Sequence, residues 1–172
     1  MEGWKTMAEF WNVYDRFRRD SGRVIPRGAW MQPDEYHLVV HAWLRNARGE
    51  YLISQRAPEK PHPLRWEATG GSVLAGETSL QGAVREVAEE LGIRLNPEDG
   101  ALLCSGLRQY DGCPDILDVW VFACDVPVES VVLQAGETVN ARYASIDEIR
   151  RMVRTGEFIA MERFNYLDRL GI

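Results

Sequence analysis

The sequence predicts an α+β fold built in layers. Three observations carry this expectation. Strand-like runs open the chain and return after its middle. One well-capped amphipathic helix separates the two groups of strands. Two further helical patterns close the chain. The length of 172 residues, with 45% hydrophobic and 27% charged residues, suits one globular unit with a sizeable core. No repeat, low-complexity stretch or long linker divides it.

Taken in order, residues 1–9 read as a loosely docked end. FWNVY at 10–14 is β-prone, Asp20, Ser21 and Gly22 signal a turn, and residues 23–25 return, so a hairpin precedes the main fold. Pro33 keeps the connector GAWMQPDEY from running on as helix. Residues 36–45 (YHLVVHAWLR) and 51–56 (YLISQR) flank a turn at 46–49 and form a second hairpin. Pro58, Pro61 and Pro63 force an irregular loop. Residues 64–69 (LRWEAT) lead as a short strand into Gly70 and Gly71. After the central helix, 96–100 is loop and 101–110 is a strand with Gly106 as its weak point or bulge. Residues 117–124 (LDVWVFAC) make a strong strand, and 130–133 and 139–143 weaker ones. Ser145 with Glu148 is a capping box for a helix that turns Ile146, Ile149, Met152 and Val153 inward and ends at Gly156. Residues 158–170 carry a last amphipathic helix, with Met161, Phe164, Leu167 and Leu170 on its buried side.

The central helix is the unusual element. Thr78 with Gln81 is a capping box. Leu80, Ala83, Val84, Val87 and Leu91 form one apolar stripe, and Gly92 stands where a C′ glycine ends a helix. Glu86, Glu89 and Glu90 crowd the polar side. Glu89 and Glu90 sit in the last turn, where the macrodipole disfavours each carboxylate by ~0.3–1 kcal/mol. Arg85 offsets part of the repulsion. A cluster of this kind, met alone, reads as a solvated acidic face. It makes chemical sense if a divalent cation binds, because hard cations such as Mg²⁺ take carboxylate oxygens.

The wider pattern shifts the weight to the metal. Gly71, Glu77, Arg85, Glu86, Val87, Glu89, Glu90, Gly92 and Ile93 fit G-x5-E-x7-R-E-U-x-E-E-x-G-U, with U a bulky apolar residue. Fixed residues used at about 7% each make a chance match on the order of one in a million. This is the Nudix box, and the sequence resembles the Nudix hydrolase family. The resemblance implies an α/β/α sandwich with a mixed β-sheet between helices. It divides the chain into an N-terminal extension with a hairpin, 1–35, and a hydrolase domain, 36–172. It also implies metal-dependent attack of water on phosphorus in a nucleoside diphosphate joined to a group X, with Mg²⁺ or Mn²⁺ as the cofactor. By the same resemblance Glu86, Glu89 and Glu90 form the metal cluster, Glu90 first, with Glu86 either a ligand or the base. Arg85 pairs with Glu77 to hold the loop on the helix. A backbone carbonyl ahead of the box helix, at Gly70, is a further oxygen ligand. Glu137 matches an additional metal-binding glutamate of some members, against the alternative of a solvated loop residue.

Three more residues are candidates for substrate. Arg56 closes its strand near the expected site, where it could hold phosphate bidentately or be a surface arginine. Trp66 is core or a stacking platform. His62 stands in the proline loop. His37 and His41 alternate on one strand face, where satisfied histidines outnumber metal pairs.

Composition narrows the partners. A net charge of −6 argues against a nucleic-acid polymer and leaves small phosphorylated substrates open, since bound metal reverses the local sign. Three cysteines form no disulfide framework, no signal peptide or membrane-length apolar run is seen, and the cytoplasm is the expected compartment. The aromatic-rich start and hairpin offer a surface for a homodimer. The stretch YHLVVHAWLRNARGEYLISQRAPEK, with the hairpin ahead of it, looks like isopentenyl-diphosphate isomerases. Those enzymes carry a catalytic cysteine just before their box, where this chain reads EATGGS. The resemblance therefore implies an isomerase-like subgroup that hydrolyses. A non-catalytic nucleotide-binding module is the remaining alternative, and no box glutamate is missing to support it.

Overall fold

The computed structural model describes residues 8–159 and 164–171. A two-stranded ribbon, β1 (Phe10–Tyr14) and β2 (Asp20–Pro26), precedes the main sheet. That sheet has seven strands: β3 (His37–Arg45), β4 (Tyr51–Arg56), β5 (Trp66–Glu67), β6 (Thr69–Ser72), β7 (Gly100–Arg108), β8 (Asp115–Ala123) and β9 (Thr138–Ala144). Helix α1 (Ser79–Leu91) lies between β6 and β7, and α2 (Ile146–Thr155) and α3 (Leu167–Leu170) follow β9. The sheet is mixed. β3 runs parallel to β8 over nine residues, from His37↔Asp115 to Arg45↔Ala123, and the other pairings are antiparallel.

The sandwich expected from the sequence is what forms. Leu38, Val40, Ala42 and Leu44 of β3 pack with Ala83, Val87 and Leu91 of α1 on one face. Trp43, Ile53, Leu117 and Val119 pack with Ile149 and Met152 of α2 and Leu167 and Leu170 of α3 on the other. Val87 and Leu91 are fully buried. Each such side chain contributes about 1.5–3 kcal/mol, which outweighs the ~0.3–1 kcal/mol penalty of a carboxylate at the wrong helix end. Packing thus lets the helix carry its glutamates.

The sheet is split at β3. β4 pairs with it only at Leu44↔Leu52 and Arg45↔Tyr51, then leaves to pair with β5 and β9. β6 takes the vacated edge, from Val39↔Ser72 to Ala42↔Thr69. The opening between β4 and β6 becomes the cleft described below.

Several local expectations are corrected. The first hairpin turns at Asp15, whose carboxylate accepts the Phe17 and Arg19 N–H groups at 2.8 and 2.9 Å. Asp20, Ser21 and Gly22 are part of β2. The irregularity of β7 falls between Leu102 and Cys104, while Gly106 keeps its register with Leu117. Residues 130–133 are not a strand, because the Val132 and Gln134 N–H groups bond the Leu91 and Glu90 carbonyls at 2.9 and 3.1 Å. That segment satisfies the C-terminal carbonyls of α1, whose last turn holds no basic residue. Residues 158–170 are not one helix. Phe158 makes a parallel bridge to Trp66 and stacks on Trp43 with centroids 5.9 Å apart, and among the described residues of this stretch the helix is Leu167–Leu170. Of the expected buried side of that helix, Met161 lies outside the described residues. Of the expected loose end, residues 1–7 lie outside them too, and Glu9 is tied to Arg27 at 2.5 Å.

The hairpin is anchored to the core at three places. Tyr14 bridges to Tyr36, the Ala75 N–H donates to the Phe10 carbonyl at 2.7 Å, and Arg18 grips the fully buried Asp118 with both guanidinium nitrogens. Trp11, Val13, Ile25 and Met31 form a small core of their own beneath it. No helix among the described residues is long and apolar enough to cross a membrane.

Candidate active site

The cleft is built from six parts of the chain. Helix α1 supplies Arg85, Glu86, Glu89 and Glu90; β6 supplies Gly70, Gly71 and Ser72; the end of β4 and the loop after it supply Arg56 and Lys60. Glu67 comes from β5, Glu137 and Thr138 from the start of β9, and Glu9 and Arg27 from the hairpin. Four cations therefore face six glutamates.

The capping box at Thr78 and Gln81 and the left-handed Gly92 fix both ends of α1, as the sequence predicts. Arg85 is the organiser of the acidic side. Its Nε and Nη2 donate to Glu77 at 2.9 and 3.1 Å, its Nη2 also to the Ser72 carbonyl at 2.9 Å, and its Nη1 to Glu86 and Glu89 at 2.9 and 3.0 Å. The Arg85–Glu77 pairing expected from the box is present. Glu77 in turn accepts the Leu74 N–H at 3.0 Å, which locks the loop to the helix. Burial works against the Arg85 charge, but Glu77 and Glu86 more than offset it and hold the guanidinium above its ordinary range. Gly71 leaves room for the Glu86 carboxylate, which a Cβ there would displace.

The remaining glutamates divide by partner. Glu67 accepts two hydrogen bonds from Arg56 at 2.8 and 2.7 Å, and Lys60 pairs with Glu137. Burial raises the Glu67 carboxyl despite Arg56, and burial likewise raises Glu86 despite Arg85. Glu90 differs from both. Among the described residues its carboxylate has no ion pair and no side-chain hydrogen bond. Burial first, then the charges of Glu86, Glu67 and Glu137, push it up to about 8. Its backbone is held firmly, since its carbonyl accepts from the Gln134 N–H at 3.1 Å and the Thr138 hydroxyl at 3.4 Å.

The donor set is all oxygen, which suits Mg²⁺ or Mn²⁺. With arginine and lysine holding Glu86, Glu89, Glu67 and Glu137, no three acidic, histidine or cysteine side chains among the described residues converge as a ready ligand group. Glu90 is the uncompensated member, and a cation beside it would relieve the repulsion it shares with its neighbours.

The structure brings Arg56, Gly70, Arg85, Glu86, Glu89, Glu90 and Glu137 to one cleft. Two substrate candidates stand apart from it. His62 is exposed in the proline loop, and Trp66 packs against the core cluster with Arg142 over its ring at 5.0 Å. The histidines are accounted for by burial. His37 stacks on Trp11 with centroids 4.0 Å apart, and its ring Nδ1 lies 3.3 Å from the Pro114 carbonyl. The Tyr166 hydroxyl accepts from Trp43 Nε1 at 3.1 Å and shares a hydrogen bond of 2.7 Å with His41 Nδ1. Sequence reasoning missed Glu67, Lys60, Glu9 and Arg27. Glu67 had a signal, a charge between Trp66 and Ala68 in a strand that leads straight to the box.

The split mixed sheet, the capped acidic helix and its arginine clasp define a class: α+β proteins that present carboxylates over a cleft. The NUDIX domain family model matches residues 35–164. An uncharacterized Nudix hydrolase of Listeria monocytogenes is 35% identical, over 94% of this chain and 95% of its own length. An isopentenyl-diphosphate Delta-isomerase of Pectobacterium atrosepticum is 32% identical, over 72% of this chain and 70% of its own. A Deinococcus radiodurans crystal structure, 20% identical, superposes with a TM-score of 0.69 over 95% of this chain and 98% of that one. The chain belongs to the Nudix hydrolase family.

Proposed function

We propose that this protein is a Mg²⁺- or Mn²⁺-dependent hydrolase of the diphosphate linkage in a small phosphorylated compound, with water attacking phosphorus. Residues 36–172 are read as the hydrolase domain and 1–35 as an extension with a hairpin packed on the core, from which Glu9 and Arg27 reach the cleft. The observation that carries the proposal is Glu90, a half-buried carboxylate that among the described residues has no ion pair, set among five further glutamates that line the cleft.

The bound metal would neutralise phosphate oxygens and lower the pKa of water. Glu90, Glu86 and Glu89 would hold it, with Glu137 and the Gly70 backbone as further oxygen donors. Arg85 keeps Glu86 and Glu89 in place and fixes the loop of Glu77 beneath the reacting group. Arg56 and Lys60 already stand at the cleft with carboxylate partners, which marks the positions where phosphate oxygens would find cations. Glu86 or a neighbouring glutamate takes the proton from water, a role that needs a carboxylate beside the bound metal.

The isomerase reading has one observation in its favour, the 32% identity to such an enzyme. Against it, no thiol lines the cleft among the described residues; Cys104, Cys113 and Cys124 all follow the box, and Cys104 is buried. The three free cysteines fit a cytoplasmic setting. The test is a panel of diphosphate compounds with Mg²⁺, following phosphate or mononucleotide release, with isopentenyl diphosphate in the same panel. Hydrolysis is expected, with a loss of about three orders of magnitude in Glu86→Gln or Glu90→Gln. Isomerisation without hydrolysis, or full activity in both variants, would overturn the assignment.

A further inference from the structure

Strand β6 carries the glycine pair of the box between two layers, and each glycine touches a different one. Gly71 turns toward α1, where the Glu86 carboxylate occupies the space its side chain would take. Gly70 turns the other way, as neighbours on a strand must. A Cβ added to it would strike the Val40 carbonyl and come within 2.9 Å of His41 Cδ2. His41 is its register partner on β3. The imidazole therefore fills the side-chain place of Gly70 from one face of the sheet, while Glu86 fills that of Gly71 from the other.

The imidazole is itself held. Its Nδ1 shares a hydrogen bond of 2.7 Å with the Tyr166 hydroxyl, which also accepts from Trp43 Nε1 at 3.1 Å. Tyr166 is fully buried just ahead of α3, so this contact ties the C-terminal segment to the strand that backs β6. A buried tyrosine hydroxyl needs a partner, and Trp43 alone would supply one. The second bond fixes the ring that abuts Gly70.

The ladder shows which backbone atoms that ring supports. The Val73 N–H donates to the Leu38 carbonyl at 2.9 Å. Bonded pairs of an antiparallel ladder recur every two residues, so Val40 and Gly71 form the next bonded pair, and His41 and Gly70 a non-bonded one. The Gly70 N–H and carbonyl then point away from β3. The Ser72 carbonyl has the same parity, and Arg85 Nη2 donates to it at 2.9 Å from the cleft side. Among the described strands β6 pairs only with β3, which leaves the Gly70 carbonyl to the cleft that Gly70 lines.

We infer that His41, anchored by the Tyr166 hydroxyl, is a positioning residue for the metal site: it sets the depth of β6 and with it the place of the Gly70 carbonyl beside Glu86. Tyr166 and Trp43 belong to the core layer on the far side of the sheet from α1, so the imidazole acts through the β6 backbone and not as a ligand. The inference rests on the metal reading of the cleft.

The test is Mn²⁺ binding to the full chain, followed by calorimetry and by the electron paramagnetic resonance spectrum of the bound ion. Tyr166→Phe keeps the ring and removes the hydroxyl. His41→Phe keeps a ring against Gly70 and removes the anchored nitrogen, and it decides the question if the first variant is unstable. Ile149→Val, which trims the same core layer on α2, controls for lost packing. Tyr166→Phe and His41→Phe should bind Mn²⁺ about tenfold more weakly, with an altered spectrum. Ile149→Val should melt at a lower temperature and bind Mn²⁺ as the wild type does. The inference is overturned if a folded Tyr166→Phe or His41→Phe protein binds no more weakly than Ile149→Val, or binds more weakly with an unaltered spectrum. If the wild type itself binds no Mn²⁺, the metal reading of the cleft fails and takes the inference with it.

Discussion

Glu90 is the box glutamate that has no ion pair among the described residues, and His37 is a buried base with no acid paired to it among them. Both are single residues whose surroundings disfavour their charged form. Burial, with smaller help from the Arg108 and Arg27 charges, lowers His37 from 6.5 to about 4. The sign of the linkage follows. A depressed histidine pKa means that the unfolded chain binds the extra proton first, so this contribution to stability is present above about pH 6.5 and is lost as pH falls toward 4. The shift corresponds to about 3 kcal/mol. Urea denaturation at pH 7.5 and 4.5 should show His37→Phe, which keeps a ring against Trp11, losing less stability on acidification than the wild type. An identical pH dependence would contradict the assignment. At this scale the sequence was legible wherever one helix fixes the spacing: Glu86, Glu89, Glu90 and the Arg85–Glu77 clasp all follow from periodicity. It was silent on Lys60, Glu9 and Arg27, because their place at the cleft depends on how distant segments meet.

The elements differ in what holds them. The N-terminal hairpin has a modest core of four buried side chains, Trp11, Val13, Ile25 and Met31, and leans on the Arg18–Asp118 pair for its seat on β8. Removing one partner of a buried pair leaves an uncompensated charge. Arg18→Ala should destabilise the protein by about 3 kcal/mol, the low end for such pairs because Arg18 is partly exposed. Limited proteolysis should then cut first within residues 15–19. Unchanged stability and cleavage would remove the pair as an anchor. The element pattern also shows why some strands were legible and others not. β1, β4 and α2 were readable because aromatic and β-branched runs, proline-rich loops and capping boxes are local signals. Residues 130–133 have a strand's composition, but their N–H groups go to the end of α1. Residues 158–170 have a helix's pattern, but Phe158 is drawn to Trp43 and Trp66 across the sheet. In both cases tertiary contacts outweighed local propensity.

For the whole molecule, the layered fold explains the cleft. β3 cannot pair with β4 and β6 along the same stretch, so the sheet opens where β6 enters, and α1 covers one side of that opening with its glutamates. The fold class was readable from the order of elements, and the parallel β3–β8 pairing was not, since nothing local announces a partner 78 residues away. Six glutamates against four cations leave the cleft short of positive charge in the metal-free state. Ligand binding to the folded state alone raises stability by mass action. Mg²⁺ or Mn²⁺ at millimolar concentration should therefore raise the melting temperature, and Ca²⁺-free buffers with chelator should return it to the starting value. The most direct measurement is a calorimetric Mn²⁺ titration of the wild type and of Glu90→Gln, with circular dichroism to show that both are folded. The wild type should bind Mn²⁺, and Glu90→Gln should bind it at least about tenfold more weakly. Equal affinity in the two proteins, or no binding by the wild type, would contradict the assignment of Glu90 and its neighbours as the metal-binding heart of the site.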